Sequence, residues 1–182
     1  MAGIPTIVYG YFALTFITPL LKMIIPSTQV FNAFSGAIVV GIMILPMVSS
    51  LCDDAFRSLP RDLKEGGYAL GGTSFEVIVQ IMIPSCASRI LAAFILALSR
   101  AIGETMAVTL AAGATPNLTI NPLESIQTMT AYIVQVAMGD TPAGGVEYLT
   151  SFAVAFLLFF LTLVMNIIGQ AILYRYKKKV GR

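Results

Sequence analysis

The sequence predicts an all-α fold, a polytopic bundle of transmembrane helices, from its apolar share, its charge-free runs and the placement of its few charges. Of 182 residues, 57% are hydrophobic and 11% are charged, where a soluble domain carries about 25% charged residues. The mean hydropathy is +0.87. A helix needs about 20 mostly apolar residues to cross a hydrocarbon core of about 30 Å, and four runs of that kind occur along the chain. The net charge of +2 conceals polarity, because Arg175, Lys177, Lys178, Lys179 and Arg182 crowd the last eight positions.

Several chemistries are set aside by composition. Without histidine, the chain offers no Ser-His-Asp triad and none of the common zinc or haem ligand sets. Cys52 and Cys86 have neither metal-binding nor disulfide-framework spacing and read as small buried residues. No metal or cofactor is expected.

The first span is expected from about Ile4 to Leu21, before Lys22 and Pro26-Ser27. It lacks a basic leader and reads as a retained span, not a cleaved signal. The second runs from about Val30 to Ser50. The third, from about Ala87 to Ala112, contains Arg100 and Glu104, and the fourth runs from about Tyr148 to Leu173. Pro19 and Pro46 are expected to kink or end their spans. Orientation follows from the Lys/Arg bias. The segment from Asp53 to Arg89 carries Arg57, Arg61, Lys64 and Arg89, whereas the 113 to 147 loop has no Lys or Arg, only Glu124, Asp140 and Glu147. The 53 to 84 segment and the C-terminus are therefore expected in the cytoplasm, and the 113 to 147 loop outside. The Tyr174 to Lys179 stretch reads as an interfacial anchor of aromatic and basic residues.

The 53 to 84 segment has a helical pattern. Asp53 and Arg57 form an i,i+4 pair. Pro60 can open a helix whose apolar stripe is Leu59, Leu63, Gly67 and Leu70. Gly71-Gly72 stops it, and Thr73 with Glu76 has capping-box spacing for a further helix ending at Pro84. In the external loop Leu123, Ile126, Met129, Ile133 and Val136 recur at helical intervals. Asn117-Leu118-Thr119 fits a glycosylation sequon, a triplet common by chance.

Glu65-Gly66-Gly67, Gly71, Ile81 and Pro84 resemble the EAA signature of binding-protein-dependent ABC importer permeases: E-A-A, three residues, G, nine residues, I-x-L-P. The spacing agrees throughout, with glycines for the two alanines and Ile83 for leucine. The resemblance implies a MetI-like fold of type I importer permeases, here about four spans plus a cytoplasmic coupling helix, in which these six residues dock on a separate ATPase. The alternative is an amphipathic helix lying on the membrane surface.

The third span carries Arg100-Ala101-Ile102-Gly103-Glu104-Thr105. At 1.5 Å per residue, Arg100 is about 17 Å along a helix from Arg89, near mid-membrane. An Arg there costs at least about 2.5 to 3.5 kcal/mol unless it faces the bundle interior or water. Glu104, one turn on, would share its face, and Gly103 would admit a neighbouring backbone. The guanidinium suits an oxyanion. Two readings stay open: a pathway element in which Glu104 holds Arg100 when no ion is present, and a structural ion pair. The run is similar to the R-A-x-G-E-T sequence of phosphate ABC permeases, and its Met-Ala-Val continuation, with Gly3 to Gly10, resembles the PstC-type subunit.

That resemblance implies a permease importing inorganic phosphate across the cytoplasmic (inner) membrane of a bacterium or archaeon, its pathway including Arg100, Gly103, Glu104 and Thr105. Its implied partners are an ABC ATPase (PstB-like), a second permease subunit (PstA-like), a phosphate-binding protein (PstS-like) and membrane lipid. The chain has no Gly-x4-Gly-Lys-[Ser/Thr] loop, so a partner would hydrolyse ATP and this subunit is not an enzyme. Permeases for sulfate or molybdate, and an ATPase-independent anion transporter or channel, are the alternatives. The whole of 1–182 reads as a single permease domain. Since family subunits have about six spans, it is expected to lack the N-terminal pair.

Overall fold

A computed structural model of the chain describes residues 4–142 and 144–180, with side chains through Arg175. The readings of Gly3 and Arg182 lie outside the described residues, and that of Lys177, Lys178 and Lys179 concerns side chains beyond those described. Seven helical segments are present among those described: α1 (Thr6–Ile24), α2 (Ala33–Arg57), α3 (Arg61–Ala69), α4 (Ser74–Ile102), α5 (Met106–Ala112), α6 (Met129–Met138) and α7 (Val146–Val180). In α1, α2, α4 and α7 the apolar stretch is long enough to span a bilayer, which makes this a multi-pass membrane protein. The chain forms two compact units, one built from residues up to Leu45 with Arg100–Val164, the other from Pro46–Ser99 with the residues from Met165 onward.

In the first unit, α1 packs on α5 through small residues. Ala13, Ile17 and Leu21 of α1 are buried with Val39 of α2 and Ala107 and Ala111 of α5. Between lipid-embedded helices attraction comes from close van der Waals contact, so small side chains carry the crossing. Gly10 shows how close it is: a Cβ there would stand 2.8 Å from Leu110 Cβ and 3.0 Å from the Ala107 carbonyl oxygen. The short link before α2 is pinned to the external loop. Phe34 and Ala33 donate their N–H groups to the carbonyls of Pro122 (2.9 Å) and Glu124 (3.1 Å), and Gln29 donates to that of Leu123 (3.0 Å). The expected helix through Leu123 and Ile126 is therefore replaced by a paired loop, because these backbone groups serve the link before α2. Only its second half, α6, is helical.

Pro19 and Pro84 sit inside helices instead of ending them. In each case a wide π turn directly precedes the proline: Ala13–Ile17 before Pro19 and Val77–Met82 before Pro84. The residue just before each proline donates its N–H five residues back, Thr18 to Ala13 and Ile83 to Ile78. The widened turn makes room for a ring that would otherwise strike the preceding turn. This corrects the expectation that a helix ends at Pro84. Pro46 likewise lies within α2.

The second unit contains the 57 to 84 connection. Asp53 and Arg57 pair at 2.8 Å at the end of α2. The C-terminus of α3 is a Schellman motif: Gly72 donates its N–H to the Gly67 carbonyl (3.2 Å) and Gly71 to that of Tyr68 (2.9 Å). Gly71 has φ +82°, which a glycine adopts without steric cost. The expected capping box then starts α4, with Thr73 N–H donating to Glu76 Oε2 (2.8 Å) and Glu76 N–H to Thr73 Oγ1 (3.4 Å). Of the stripe predicted on α3, Gly67 alone is buried, while Leu63 and Leu70 are exposed. Elsewhere in this unit α4 meets α7 through a hydrogen bond from Ser99 Oγ to Asn166 Oδ1 at 2.9 Å.

Two outcomes are expected from thermal unfolding in detergent. Gly10→Val should destabilise by about 1–3 kcal/mol through overpacking. Gly41→Ala, at a helical glycine with open space around its Cβ, should stabilise by about 0.5–1 kcal/mol. In the second unit, Gly71→Ala should cost about 1–2 kcal/mol by forcing a side chain into the left-handed region. That loss should appear as faster amide exchange at the end of α3, whereas Gly66→Ala, at a helical glycine with open space around its Cβ, should slow exchange there.

Candidate functional site

The structure brings together part of each motif. In the 65 to 84 motif, Gly67 is buried and faces α4: its missing Cβ would fall 2.7 Å from Ile81 Cδ1 and 3.0 Å from Val77 Cγ2. The long gap between Gly67 and Ile81 is thus the return path of a helix–turn–helix, and Gly71 is its turn. Glu65 lies on the exposed face of α3, with no hydrogen-bond or ion-pair partner among the described residues. An open cleft runs along the seam, lined by Leu70, Gly71, Gly72, Glu76 and Gln80. Leu70 (91%) and Phe75 (75%) are almost fully exposed beside it, a large apolar area for the most charged connection of the chain. Pro84 follows on α4, away from the turn, where it is met by the π turn.

Arg100, Gly103, Glu104 and Thr105 fall at a break in the third expected span. Helix α4 ends at Ile102 and α5 starts at Met106, so the single helix predicted over 87 to 112 is two. The consequence is chemical. Glu104 leaves the helical register that sets i and i+4 side by side, and it makes no ion pair with Arg100. Its carboxylate instead accepts the Ala107 N–H at 3.3 Å, at the start of α5. Its carbonyl accepts the Thr130 hydroxyl at 3.1 Å, and its N–H donates to the Ala101 carbonyl at 3.2 Å. Thr105 closes the break through its carbonyl, which accepts both the N–H (2.9 Å) and the hydroxyl (2.7 Å) of Thr109. Arg100 is exposed and has no hydrogen-bond or ion-pair partner among the described residues.

Two groups of residues that the sequence reading passed over hold this region. Asn32 is fully buried and bonded on both ends of its amide: Oδ1 accepts the Ser35 N–H at 2.7 Å, and Nδ2 donates to Thr18 Oγ1 at 3.3 Å and to the Gln29 carbonyl at 3.1 Å. Its N–H and the Ser35 hydroxyl both donate to the Ala111 carbonyl, at 3.1 and 3.4 Å. An Asn directly before an apolar run is an N-cap signal and could have been read. Thr130 has no such signal, since its role depends on a partner 26 residues away.

An exposed guanidinium with an unused donor fork beside an interrupted helix can bind an oxyanion. Neighbouring Glu104 is committed to the backbone of α5. The chain resembles known proteins along its whole length. Residues 1–179 match the family model for the binding-protein-dependent transport system inner membrane component. A probable ABC transporter permease protein, YqgH, of Bacillus subtilis is 37% identical over 81% of this chain and 47% of its own. The phosphate transport system permease protein PstC of Haemophilus influenzae is 29% identical over 100% of this chain and 63% of its own. A probable PstC of Methanocaldococcus jannaschii is 32% identical over 100% of this chain and 62% of its own. This chain therefore spans about half to two-thirds of the length of these relatives. No solved structure matches it. With the match covering nearly every residue, the chain belongs to the family of binding-protein-dependent transport system inner membrane components.

Proposed function

We propose that this chain is the membrane-spanning core of a PstC-type permease subunit that passes inorganic phosphate through the cytoplasmic membrane of a bacterium or archaeon. Energy comes from ATP hydrolysed by a separate ATPase, and the chain itself catalyses no reaction. The carrying observation is the helix–turn–helix at 61 to 84, where Gly67 sits on Ile81 and Gly71 makes the turn. That packing accounts for the spacing of the motif, while Glu65, Leu70 and Phe75 remain exposed for an ATPase to grip. The Lys/Arg bias puts this surface and the C-terminus in the cytoplasm. Motion imposed there passes along α4, a continuous helix from Ser74 to Ile102 that carries Arg100. The second permease subunit and an external phosphate-binding protein complete the importer.

Phosphate is favoured over other oxyanions by the names of the relatives and by the free fork of Arg100. Glu104 does not neutralise that fork, because its carboxylate caps α5. Gly103 and Thr105 frame the break through which the ion would pass.

Replacing Arg100 by Gln in the assembled importer should lower phosphate uptake by about tenfold or more, the effect of removing a charged hydrogen-bond donor worth about 1.5–3 kcal/mol. Co-purification of the subunits should be unchanged. Normal uptake would sink the pathway role. Sulfate and molybdate should fail to compete. Glu65→Ala combined with Gly71→Val should abolish co-purification of the ATPase while the subunit still reaches the membrane, and retention of the ATPase would refute the coupling surface.

A further inference from the structure

The external loop carries a feature that the transport reading does not use. Between Asn117 and Asn121 the chain alternates sides. Asn117 Nδ2 and Asn121 Nδ2 donate to the two oxygens of Glu124, at 3.3 and 3.0 Å. The hydroxyl of Thr119 accepts the Asn121 N–H at 3.1 Å. The polar side chains around Glu124, Thr119 first and then Asn121, hold its carboxyl below the ordinary range. The residues between them, Leu118 and Ile120, point the other way and are as exposed as free side chains, at 107% and 101%. Asn117 spends its amide on this brace, which gives the sequon residue a structural use.

We propose that Leu118 and Ile120 insert into the lipid leaflet on the side of the 113 to 147 loop, as a two-residue aliphatic anchor of the permease. Three observations select lipid. The level is right: Pro122, Leu123 and Glu124 are hydrogen-bonded to the link between the end of α1 and the start of α2, where two membrane spans leave the hydrocarbon. The same rim exposes further apolar side chains, Met23, Ile24 and Val30. The chemistry is right as well, because residues 105 to 123 contain no charged group, and the first charge beyond them, Glu124, accepts hydrogen bonds from Asn117 and Asn121.

The chain contains no tryptophan, so Leu118→Trp and Ile120→Trp each add one reporter, read as the difference in emission between the variant and the wild-type importer in phosphatidylcholine vesicles. The added emission should be blue-shifted, quenched when ordinary lipid is exchanged for lipid with brominated acyl chains, and resistant to acrylamide. Asp140→Trp, elsewhere on the same loop, should show the reverse. Adding Glu124→Ala to Leu118→Trp should weaken the lipid quenching, because the brace is gone. Quenching by acrylamide at 118 and 120 would overturn the anchor. So would emission that changes only when the binding protein is added, which would assign the pair to a protein partner. Equal lipid quenching at 140 would trace the effect to tryptophan itself and overturn it too.

Discussion

The first unit is organised by the need to satisfy the backbone at both ends of α5, which follows the interruption at 103 to 105. Where no water is available, each unpaired N–H or C=O costs several kcal/mol, so an interrupted span survives only if protein groups take up the freed positions. Helix α5 has both ends treated in this way. At its start the Glu104 carboxylate receives the Ala107 N–H, and Thr130 reaches the Glu104 carbonyl. At its end the Ala111 carbonyl accepts from Asn32 and Ser35, and the Ala112 carbonyl accepts from the Ile126 N–H and the Ser125 hydroxyl. The external loop and the link before α2 are thus the capping apparatus of α5. Gly113 suits this place twice over: it has φ +90°, and a Cβ there would collide with Ser125 Oγ and crowd Phe31.

The same accounting explains how three prolines sit inside membrane helices. A proline removes one donor, and its ring strikes the turn before it. In α1 and α4 the chain answers with a π turn whose last N–H belongs to the residue directly before the proline. For α4 the adjustment also shapes the cytoplasmic surface. Val77 and Ile81 lie in that π turn and form the wall against which Gly67 rests. A bulkier residue at 67 would press on the tip of Ile81, and a shorter return than Gly71 to Gly72 would not bring α3 back onto it.

What could be read from the sequence divides along local and non-local lines. Charge-free runs gave the spans, since a bilayer demands length and apolarity of each helix separately. The Asp53–Arg57 pair, the stop at Gly71-Gly72 and the Thr73–Glu76 box were legible because each closes within five residues. The break at 103 to 105 was not. Residues 87 to 112 are mostly apolar, with Arg89, Arg100 and Glu104 as their charges, and a single glycine is tolerated in a membrane helix. The Glu104 carbonyl there is taken up by Thr130, a partner remote in sequence. The α3 stripe misled for a related reason. Its periodicity is real, but it is divided between a contact inside the chain, at Gly67, and exposed positions at Leu63 and Leu70.

The break alters the meaning of the two intramembrane charges. Had Arg100 and Glu104 shared a helical face, their mutual attraction would have offset much of the cost of burying either, and a structural ion pair would have sufficed as an explanation. The structure spends the carboxylate elsewhere, on the N–H of Ala107. Glu104 is thereby accounted for as the cap of a helix that cannot be hydrated, whereas the guanidinium is left with its full donor fork. A charge of that kind costs at least about 2.5 to 3.5 kcal/mol in a membrane span unless water, an anion or a second chain meets it. Within the break Glu104 bonds the backbone, and in the last turn before it Arg100 has no hydrogen-bond or ion-pair partner among the described residues. Interrupting the helix separates these two charges, which a continuous helix would have forced into a single neutralised pair.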